Sequence, residues 1–328
     1  MNQGSAPLLE VRGLTTHYVS ARGTRVTRAV QDVSFTLRDG ETLGIVGESG
    51  SGKSTLALSL LRLLPPGARI VGGGVRFEGE DLLAKSEGEM RRIRGKRIAM
   101  ILQDPMASLN PLFTVGDQVA EPLRVHEGKS RRGAWERARD LLGAVRISAP
   151  NMRVRNYPHE LSGGMRQRIV GAIAISCGPR VLIADEPTTS LDVTIQAQYL
   201  SLLRELQRAQ HLAMIFITHN LGIVARMCDA VAVMYAGRVV EAGPIRDIFN
   251  KPSHPYTRAL LESVPRLGAQ TEWLTAIEGQ PPDLAALPAG CAFAPRCAHA
   301  LARCRVEEPP EFTLGAGHAS RCWLDAPA

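Results

Sequence analysis

The feature that most constrains the fold of this chain is a glycine-rich segment between a predicted strand and a predicted helix. It follows the apolar run 42–46 and precedes the apolar-rich segment 55–61. In this context the backbone N–H groups of such a loop surround phosphate oxygens, and the helix N-terminus adds its positive dipole. We therefore predict an α/β fold whose nucleotide site includes Gly47, Glu48, Ser49, Gly50, Ser51, Gly52, Lys53, Ser54 and Thr55. Lys53 is expected to reach the β- and γ-phosphates, and the hydroxyl of Ser54 to bind Mg²⁺.

Two carboxylates follow another buried-strand pattern, the apolar residues 181–184. The carboxyl end of a central parallel strand opens at the ligand crevice. Asp185 is expected to hold Mg²⁺ there, and Glu186 to accept a proton from the attacking water. An isolated pair would more simply be two solvated carboxylates, but the phosphate loop upstream favours the catalytic interpretation.

A second anion-binding helix start is predicted at residues 161–167, which read Leu-Ser-Gly-Gly-Met-Arg-Gln. Ser162 is a good N-cap, and Gly163 and Gly164 permit close approach of a ligand. The chain has one phosphate loop, so it offers this helix no second nucleotide, and an ordinary capped helix is the alternative. His219 ends the apolar run 214–218; a lone histidine at a strand end is more often structural.

Four of the six cysteines are concentrated near the C-terminus with the spacing C-x₅-C-x₆-C-x₁₇-C, namely Cys291, Cys297, Cys304 and Cys322. Disulfides are disfavoured in a reducing compartment. Spacing alone leaves structural zinc, with His299 or His318 as substitute ligands, and an iron–sulfur cluster near parity, and buried metal-free thiols remain possible. Cys177 and Cys228 are predicted to be core thiols. Beyond residue 264 prolines become frequent, which predicts an irregular, separately stapled tail.

Composition fits one large domain with an appendage: 328 residues, 45% of them hydrophobic. Neither a signal peptide nor a run of eighteen apolar residues is evident, so we expect a cytosolic chain without a membrane span. The formal net charge of +7 is ascribed mainly to solvated faces. The basic clusters lack interleaved aromatic residues, and no nucleic-acid partner is expected.

With these motifs in this order, the chain resembles the ATP-binding subunits of ABC transporters from about residue 8 to residue 325. More narrowly, it resembles the subunits that drive bacterial dipeptide and oligopeptide importers. The general motifs are the Q-loop at Gln103, the ABC signature at 161–167, the D-loop at 190–192, the switch histidine His219 and an adenine-stacking aromatic at Tyr18. The narrower resemblance is carried by residues 105–111, 184–189 and 254–257 and by the cysteine-bearing tail. Asn220 departs from the family, which usually has Asp after the histidine.

The resemblance implies an ABC-type P-loop domain with a RecA-like parallel-sheet core and antiparallel β and helical subdomains. We place this domain at 1–255, its helical subdomain at about 105–165, and a small irregular cysteine-rich extension at 256–328. The resemblance makes Glu186, His219 and Gln103 catalytic, and Ser54, Gln103 and Asp185 ligands of Mg²⁺. It assigns Ser162, Gly163, Gly164 and Asp192 to the nucleotide of a partner subunit. It also tips the four cysteines toward a [4Fe–4S] cluster.

The predicted function is an ATPase subunit that powers peptide import from the cytoplasmic face of the membrane. The expected partners are a second ATPase subunit, in a heterodimer or with another copy of this chain, two permeases and an extracytoplasmic substrate-binding protein. Nickel chelates or glutathione are alternative substrates. A soluble ABC ATPase acting on nucleic acid or ribosomes is a competing class, as is a non-hydrolysing half of a heterodimer. Against these stand the separation of 108 positions from Ser54 to Ser162, too short for a long coiled coil, the single nucleotide domain, and the presence of Glu186 and His219.

Overall fold

The computed structural model describes residues 6–104, 108–189, 191–264 and 277–327. The chain divides into two compact units. The first consists of Met1–Leu37, Thr42–Leu83 and Phe216–Ala328, and the second of Arg38–Glu41 and Ala84–Ile215. Among the described residues, no helix has both the length and the apolar character needed to cross a bilayer.

The first unit contains an antiparallel sheet with the strand order β2-β1-β4-β5. Its strands are β1 (Leu9–Val19), β2 (Val26–Leu37), β4 (Ala68–Phe77) and β5 (Glu80–Asp81). Buried and more exposed residues alternate over most of β1, as in a strand with one face on a core. This sheet agrees with the antiparallel β part that the resemblance implies.

A second group of strands in the first unit has the order β11-β12-β10-β9-β3. These are β3 (Thr42–Val46), β9 (Ala230–Tyr235), β10 (Arg238–Pro244), β11 (Phe312–Gly315) and β12 (His318–Ser320). Strands β3 and β9 pair in parallel, and all five residues of β3 are buried, which explains its continuous apolar run. The helices of this unit are α1 (Lys53–Leu60), α8 (Leu221–Met227), α9 (Ile245–Asn250) and α10 (Pro255–Glu262).

The C-terminal segment lies within this first unit, and its description as a separate tail stays a prediction. Strand β12 extends the sheet by pairing with β10, with Glu241 opposite Ser320. The segment has a small core of its own, in which Trp323 packs with Ala294 and Cys304. Its other regular structure is short: 3₁₀ turns at Ala294–Arg296, Arg303–Arg305 and Trp323–Asp325. The boundary proposed at residue 255 stays a prediction.

The second unit holds the parallel pair β6 (Ile98–Ile101) and β7 (Val181–Asp185). Its helices are α2 (Glu87–Ile93), α3 (Val115–Glu127), α4 (Arg131–Ala144), α5 (Pro150–Arg153), α6 (Gly163–Ile175) and α7 (Val193–Gln210). The predicted helical character between 105 and 165 is confirmed for α3 and α4. Strand β8 (Ala213–Ile217) begins in the second unit and ends in the first.

Side-chain caps define where the helices of the second unit begin. Thr114 caps α3 by accepting from the N–H of Asp117, and Ser130 caps α4 by accepting from Gly133. Asp117 also accepts a 3.0 Å bond from the indole Nε1 of Trp135, which ties α3 to α4. Such caps bond donors that a helix otherwise leaves unpaired, and each contributes about 1 kcal/mol.

Candidate nucleotide site

The phosphate loop lies between β3 and α1, and two of its glycines are required by sterics. Gly47 has φ +153°, and a Cβ there would lie 2.1 Å from the carbonyl oxygen of Met234. Gly52 has φ +100°, and its Cβ would lie 2.1 Å from the carbonyl oxygen of Ala29. Any side chain at either position would collide with backbone that belongs to neighbouring strands. The path of the loop past these two strands therefore requires glycine at both positions.

Lys53 is the first residue of α1, and its side chain lies inside the loop. Lys53 is only 6% exposed, and its Nζ donates to the carbonyl oxygens of Gly47, at 2.8 Å, and Glu48, at 2.9 Å. A buried ammonium at the start of a helix gives this loop a concentrated positive potential. Ser54 is exposed beside it, with its hydroxyl available to a ligand. These positions suit the binding of a phosphate chain and its metal ion.

Two further predicted residues lie beside the loop within the first unit. The hydroxyl of Tyr18, on β1, is 3.2 Å from Oγ1 of Thr55 in α1. The N–H of Thr218 donates to the carbonyl oxygen of Ile45 on β3, at 3.2 Å. This bond places His219, the next residue, at the end of β3 that leads into the phosphate loop. The structure thus brings Tyr18 and His219 together with the loop.

The departure at Asn220 is explained by a capping role. Its Oδ1 accepts from the N–H groups of Gly222, at 3.0 Å, and Ile223, at 3.3 Å, and so caps α8. Asn and Asp are about equally good N-caps. The substitution therefore leaves the helix after His219 supported.

The carboxylates lie at the end of β7 in the second unit. Asp185 is the last residue of the strand and is 3% exposed. Glu186 follows with φ +45°, a backbone conformation that is strained for a residue with a side chain. Its Oε2 accepts from Oγ1 of Thr189, at 2.9 Å, and from Nε2 of Gln103, at 3.2 Å. The structure thus joins two of the predicted catalytic residues in one hydrogen bond, and Thr189 is a partner that the sequence did not suggest.

The glycines of the signature line a cleft of about 630 Å³ in the second unit. Ser162 caps α6 by accepting from the N–H of Met165, at 3.4 Å. Asp192 caps α7 by accepting from Thr194 and Ile195, and it lines the same cleft. Arg168 and Arg146, which pairs with Glu205 at 2.6 Å, also line the cleft. Ser190, which belongs to the predicted D-loop, lies outside the described residues, as do residues 105–107 of the importer motif.

All four C-terminal cysteines line one cavity, together with His254 and His299. Their thiols are free of disulfides. Burial raises the pKa of Cys322 to about 12, and burial also raises the pKa of Cys291 and of Cys297. The thiolate forms therefore need a compensating positive charge.

Three further predictions concern His318 as a ligand, the binding of a single metal ion, and the burial of Cys177 and Cys228. His318, considered as a substitute ligand, instead lies 2.8 Å from Oε1 of the buried Glu241. Among the described residues, no three His, Cys, Asp or Glu side chains are gathered closely enough to hold a single metal ion. Cys228 is buried as predicted, whereas Cys177 is half-buried.

Two protein-family profiles match the chain. The profile of the ABC transporter family covers residues 30–189. That of the oligopeptide/dipeptide transporter C-terminal region covers residues 240–304. The first match contains the phosphate loop, the signature and the carboxylates, and the second contains three of the four clustered cysteines.

Relatives match over almost the whole chain. The dipeptide transport ATP-binding protein DppD of Bacillus subtilis is 49% identical over 318 residues, covering 97% of this chain and 94% of that protein. The oligopeptide transport ATP-binding protein OppD of Salmonella typhimurium is 49% identical over 316 residues, covering 96% and 93%. Among solved structures, the dimeric bacterial ABC transporter cassette MJ0796 aligns with a TM-score of 0.64 and 25% identity over 73% of this chain and 99% of that one.

The fold and the motifs define an ABC-transporter ATP-binding protein. Within that class, the chain belongs to the family of peptide-import ATP-binding subunits.

Proposed function

We propose that this chain binds and hydrolyses ATP to energise the import of peptides through an ABC transporter. The observation that carries the proposal is the phosphate loop, in which Gly47 and Gly52 are sterically required and Lys53 is buried. The relatives' names supply peptides as the transported class. Nickel chelates and glutathione are the alternative substrates of a transporter of this kind.

The proposed chemistry is in-line attack of water on the γ-phosphate of ATP. Glu186 takes the proton of the attacking water, and its hydrogen bonds to Gln103 and Thr189 orient its carboxylate. Lys53 and His219 stabilise the charge on the transferring phosphoryl group, and Tyr18 stacks against the adenine. When bound, Mg²⁺ neutralises phosphate charge, and Ser54, Asp185 and Gln103 are the residues that would hold it.

The active assembly proposed here is a dimer of ATP-binding subunits. The signature cleft, with its capped helix start and two arginines, is suited to the phosphates of a nucleotide bound by the partner. Ser162, Gly163, Gly164 and Asp192 are the contacts assigned to it. The dimeric state of the matched cassette is consistent with this arrangement. The partner is a second ATP-binding subunit, either a different protein or another copy of this chain.

The permease subunits are proposed to dock on a groove in the second unit. This groove, of about 960 Å³, is lined by Phe113, Val125 and the acidic residues Asp117 and Glu121. Phe113 is 53% exposed and Val125 69% exposed, so the groove offers two apolar side chains together to a docking partner. An extracytoplasmic substrate-binding protein would deliver the peptide to the permeases, and this chain would act at the opposite, cytoplasmic face.

Copurification tests the docking surface and separates a transporter from an ATPase that acts on nucleic acid or ribosomes. We expect integral-membrane permeases to copurify with the native chain and the Val125→Glu variant to lose them. Met152→Glu is the matched control, because Met152 is 72% exposed on α5 and does not line the groove. Copurification of nucleic acid or ribosomes in place of permeases would contradict the transporter assignment.

We further propose that Cys291, Cys297, Cys304 and Cys322 hold a [4Fe–4S] cluster. In support, the four thiols line one cavity and are free of disulfides, and cysteine thiolates are the usual ligands of such clusters. Bound iron would supply the positive charge that the buried thiolates need. A zinc site and metal-free thiols are the alternatives.

A further inference from the structure

Arg296 lies in the C-terminal segment, yet its guanidinium forms hydrogen bonds with Glu48 of the phosphate loop. Nη1 donates to Oε2 of Glu48 at 2.7 Å, and Nη2 donates to Oε1 of Glu48 at 3.0 Å. The Arg296 side chain is 4% exposed and that of Glu48 is 27% exposed. Two parallel charge-assisted bonds in a mostly buried setting make a geometrically specific contact.

The rest of the guanidinium is also fully engaged. Nε donates to the carbonyl oxygen of Glu278 at 2.9 Å, and Nη2 also donates to that of Ile277 at 3.2 Å. Nη1 also donates to the hydroxyl of Tyr235 at 3.3 Å. The hydrogen bond to Glu48 raises the pKa of Arg296 above its ordinary value. Arg296 is thus a fixed cation whose position is set by the C-terminal segment and by the end of β9.

The backbone of Glu48 is held by the same region. Its N–H donates to the hydroxyl of Tyr256 at 2.9 Å. Tyr256 packs against Tyr235 and Phe293, with ring centroids 4.6 and 5.4 Å away. Phe293 lies in the same short segment as Arg296. Side chain and main chain of one phosphate-loop residue therefore both depend on residues beyond the nucleotide-binding motifs.

We propose that Arg296 is a positioning residue for ATP: it neutralises the carboxylate of Glu48 and fixes the phosphate loop, so that the C-terminal segment sets the affinity for ATP. The inference rests on the ATPase assignment above. Without Arg296, a carboxylate in the phosphate loop would repel the phosphates of ATP. The loop would also lose its anchor and would have to be ordered when ATP binds.

The test measures the ATP dissociation constant of the full-length chain by calorimetry, with Glu186→Gln in every protein to suppress turnover. We expect Arg296→Gln to raise this constant about 5- to 150-fold, the usual range of coupling between sites. Arg296→Lys keeps the charge but loses the two parallel hydrogen bonds to Glu48. Its dissociation constant should therefore lie between those of Arg296→Gln and the protein that retains Arg296. The double variant Glu48→Gln/Arg296→Gln should recover part of the loss, because the unpaired carboxylate is gone.

Urea unfolding separates positioning from a general loss of structure. Arg296→Gln should keep the cooperative unfolding transition of the unmodified chain, so that its weaker ATP binding reflects the lost contact with Glu48. Asp32→Asn is the matched control: it removes a carboxylate that pairs with another arginine of the segment, Arg321, at 2.9 Å and lies outside the phosphate loop. This variant should bind ATP as the unmodified chain does.

The kinetic readout uses the assembled transporter with Glu186 intact. Arg296→Gln should raise KM for ATP and largely retain kcat, because Arg296 touches the loop and not the reacting atoms. An unchanged dissociation constant in Arg296→Gln, or a double variant that binds ATP no better than Arg296→Gln, would overturn the proposal. Failure of the unmodified chain to bind ATP would instead overturn the ATPase assignment.

Discussion

Glu186 combines a strained backbone with a well-oriented side chain. Its positive φ is unfavourable by roughly 1–3 kcal/mol and is retained only where the surroundings impose it. Its carboxylate accepts from both Gln103 and Thr189. This combination is typical of a residue held for chemistry, which agrees with the proposed role as general base.

We predict that Glu186→Gln leaves ATP binding intact and lowers ATP turnover at least about 10²-fold, the usual effect of losing a positioned base. The amide keeps the size of the side chain but cannot take a proton. Steady-state phosphate release from the assembled transporter measures the effect. Thr189→Val is the comparison, since it removes one orienting bond and should slow turnover less. Phosphate release at the unmodified rate in Glu186→Gln would exclude Glu186 as the base.

At this scale the sequence predicts what is encoded locally. Lys53, Asp185 and His219 are predicted as site residues because each lies at or near the end of an element whose sequence pattern spans only a few residues. Arg296 was missed because its partner, Glu48, lies 248 positions away and neither residue belongs to a local pattern that implies the other. Long-range ion pairs of this kind follow from tertiary packing alone.

At the scale of elements, helix α10 begins at an unusual cap. Nδ1 of His254 accepts from the N–H of Tyr256 at 3.0 Å, and the N–H of His254 donates to the buried Glu241 at 3.0 Å. The motif 254–257 supported the resemblance to peptide importers, but its physical role was not predicted. The structure shows that it orders α10 and thereby places Tyr256 beneath the phosphate loop.

This cap predicts acid sensitivity. Burial lowers the pKa of His254 to about 4 from the ordinary 6.5. Between these values the unfolded chain binds more protons than the folded chain, so the free energy of unfolding falls as the pH decreases from about 6.5 to 4. The shift corresponds to a loss on the order of 3 kcal/mol.

Urea unfolding at several pH values between 7 and 5 measures this loss. His254→Asn is the informative variant, because Asn is a good N-cap and does not titrate. We expect its free energy of unfolding to depend less on pH than that of the unmodified chain. Glu241, His318 and Asp325 remain in both proteins, so the difference in slope isolates His254. Equal slopes would contradict the assignment.

At the scale of the whole molecule, the sequence predicts the class of fold but not the pairing of the C-terminal strand β12 with strand β10. Continuous apolar runs identified β3, β7 and β8, because strands buried on both faces have this pattern. The pairing of β12 with β10 was missed, because β12 has three residues and follows a segment without periodicity. The position of a short strand at a sheet edge is determined by the strand with which it pairs, and its own sequence carries little of this information.

The proposed dimer predicts that a charge in the signature acts on the partner's nucleotide. Gly163→Asp is the sharper variant: a Cβ at Gly163 meets nothing within 4 Å, whereas one at Gly164 would lie 2.7 Å from Ile195. The new carboxylate should repel the partner's γ-phosphate and prevent ATP-dependent dimerisation. Gly163→Asn has nearly the same shape without the charge and should dimerise better.

Two measurements check this prediction: size-exclusion chromatography with ATP for the dimer, and calorimetry for ATP binding to each chain. Both variants should bind ATP with the affinity of the unmodified chain. If Gly163→Asp lost its own ATP binding and still dimerised, the signature would serve the nucleotide of its own chain.

The four cysteines and the phosphate loop belong to the same compact unit. Substitution of a cysteine that holds the metal should therefore weaken ATP binding. Cys297 directly follows Arg296, and its N–H closes the 3₁₀ turn that carries the arginine. Anaerobically purified protein should be brown and contain about four irons per chain. Cys297→Ser should lose iron, disorder this turn and weaken ATP binding. Cys228→Ser changes a buried thiol outside the cavity and should keep both iron and ATP affinity.

Iron analysis and calorimetry on the same samples test this prediction. Zinc in place of iron would show that the cysteines form a zinc site, and a metal-free protein with four titratable thiols would exclude both metal sites. Iron loss without any change in ATP affinity would show that the cluster does not support Arg296.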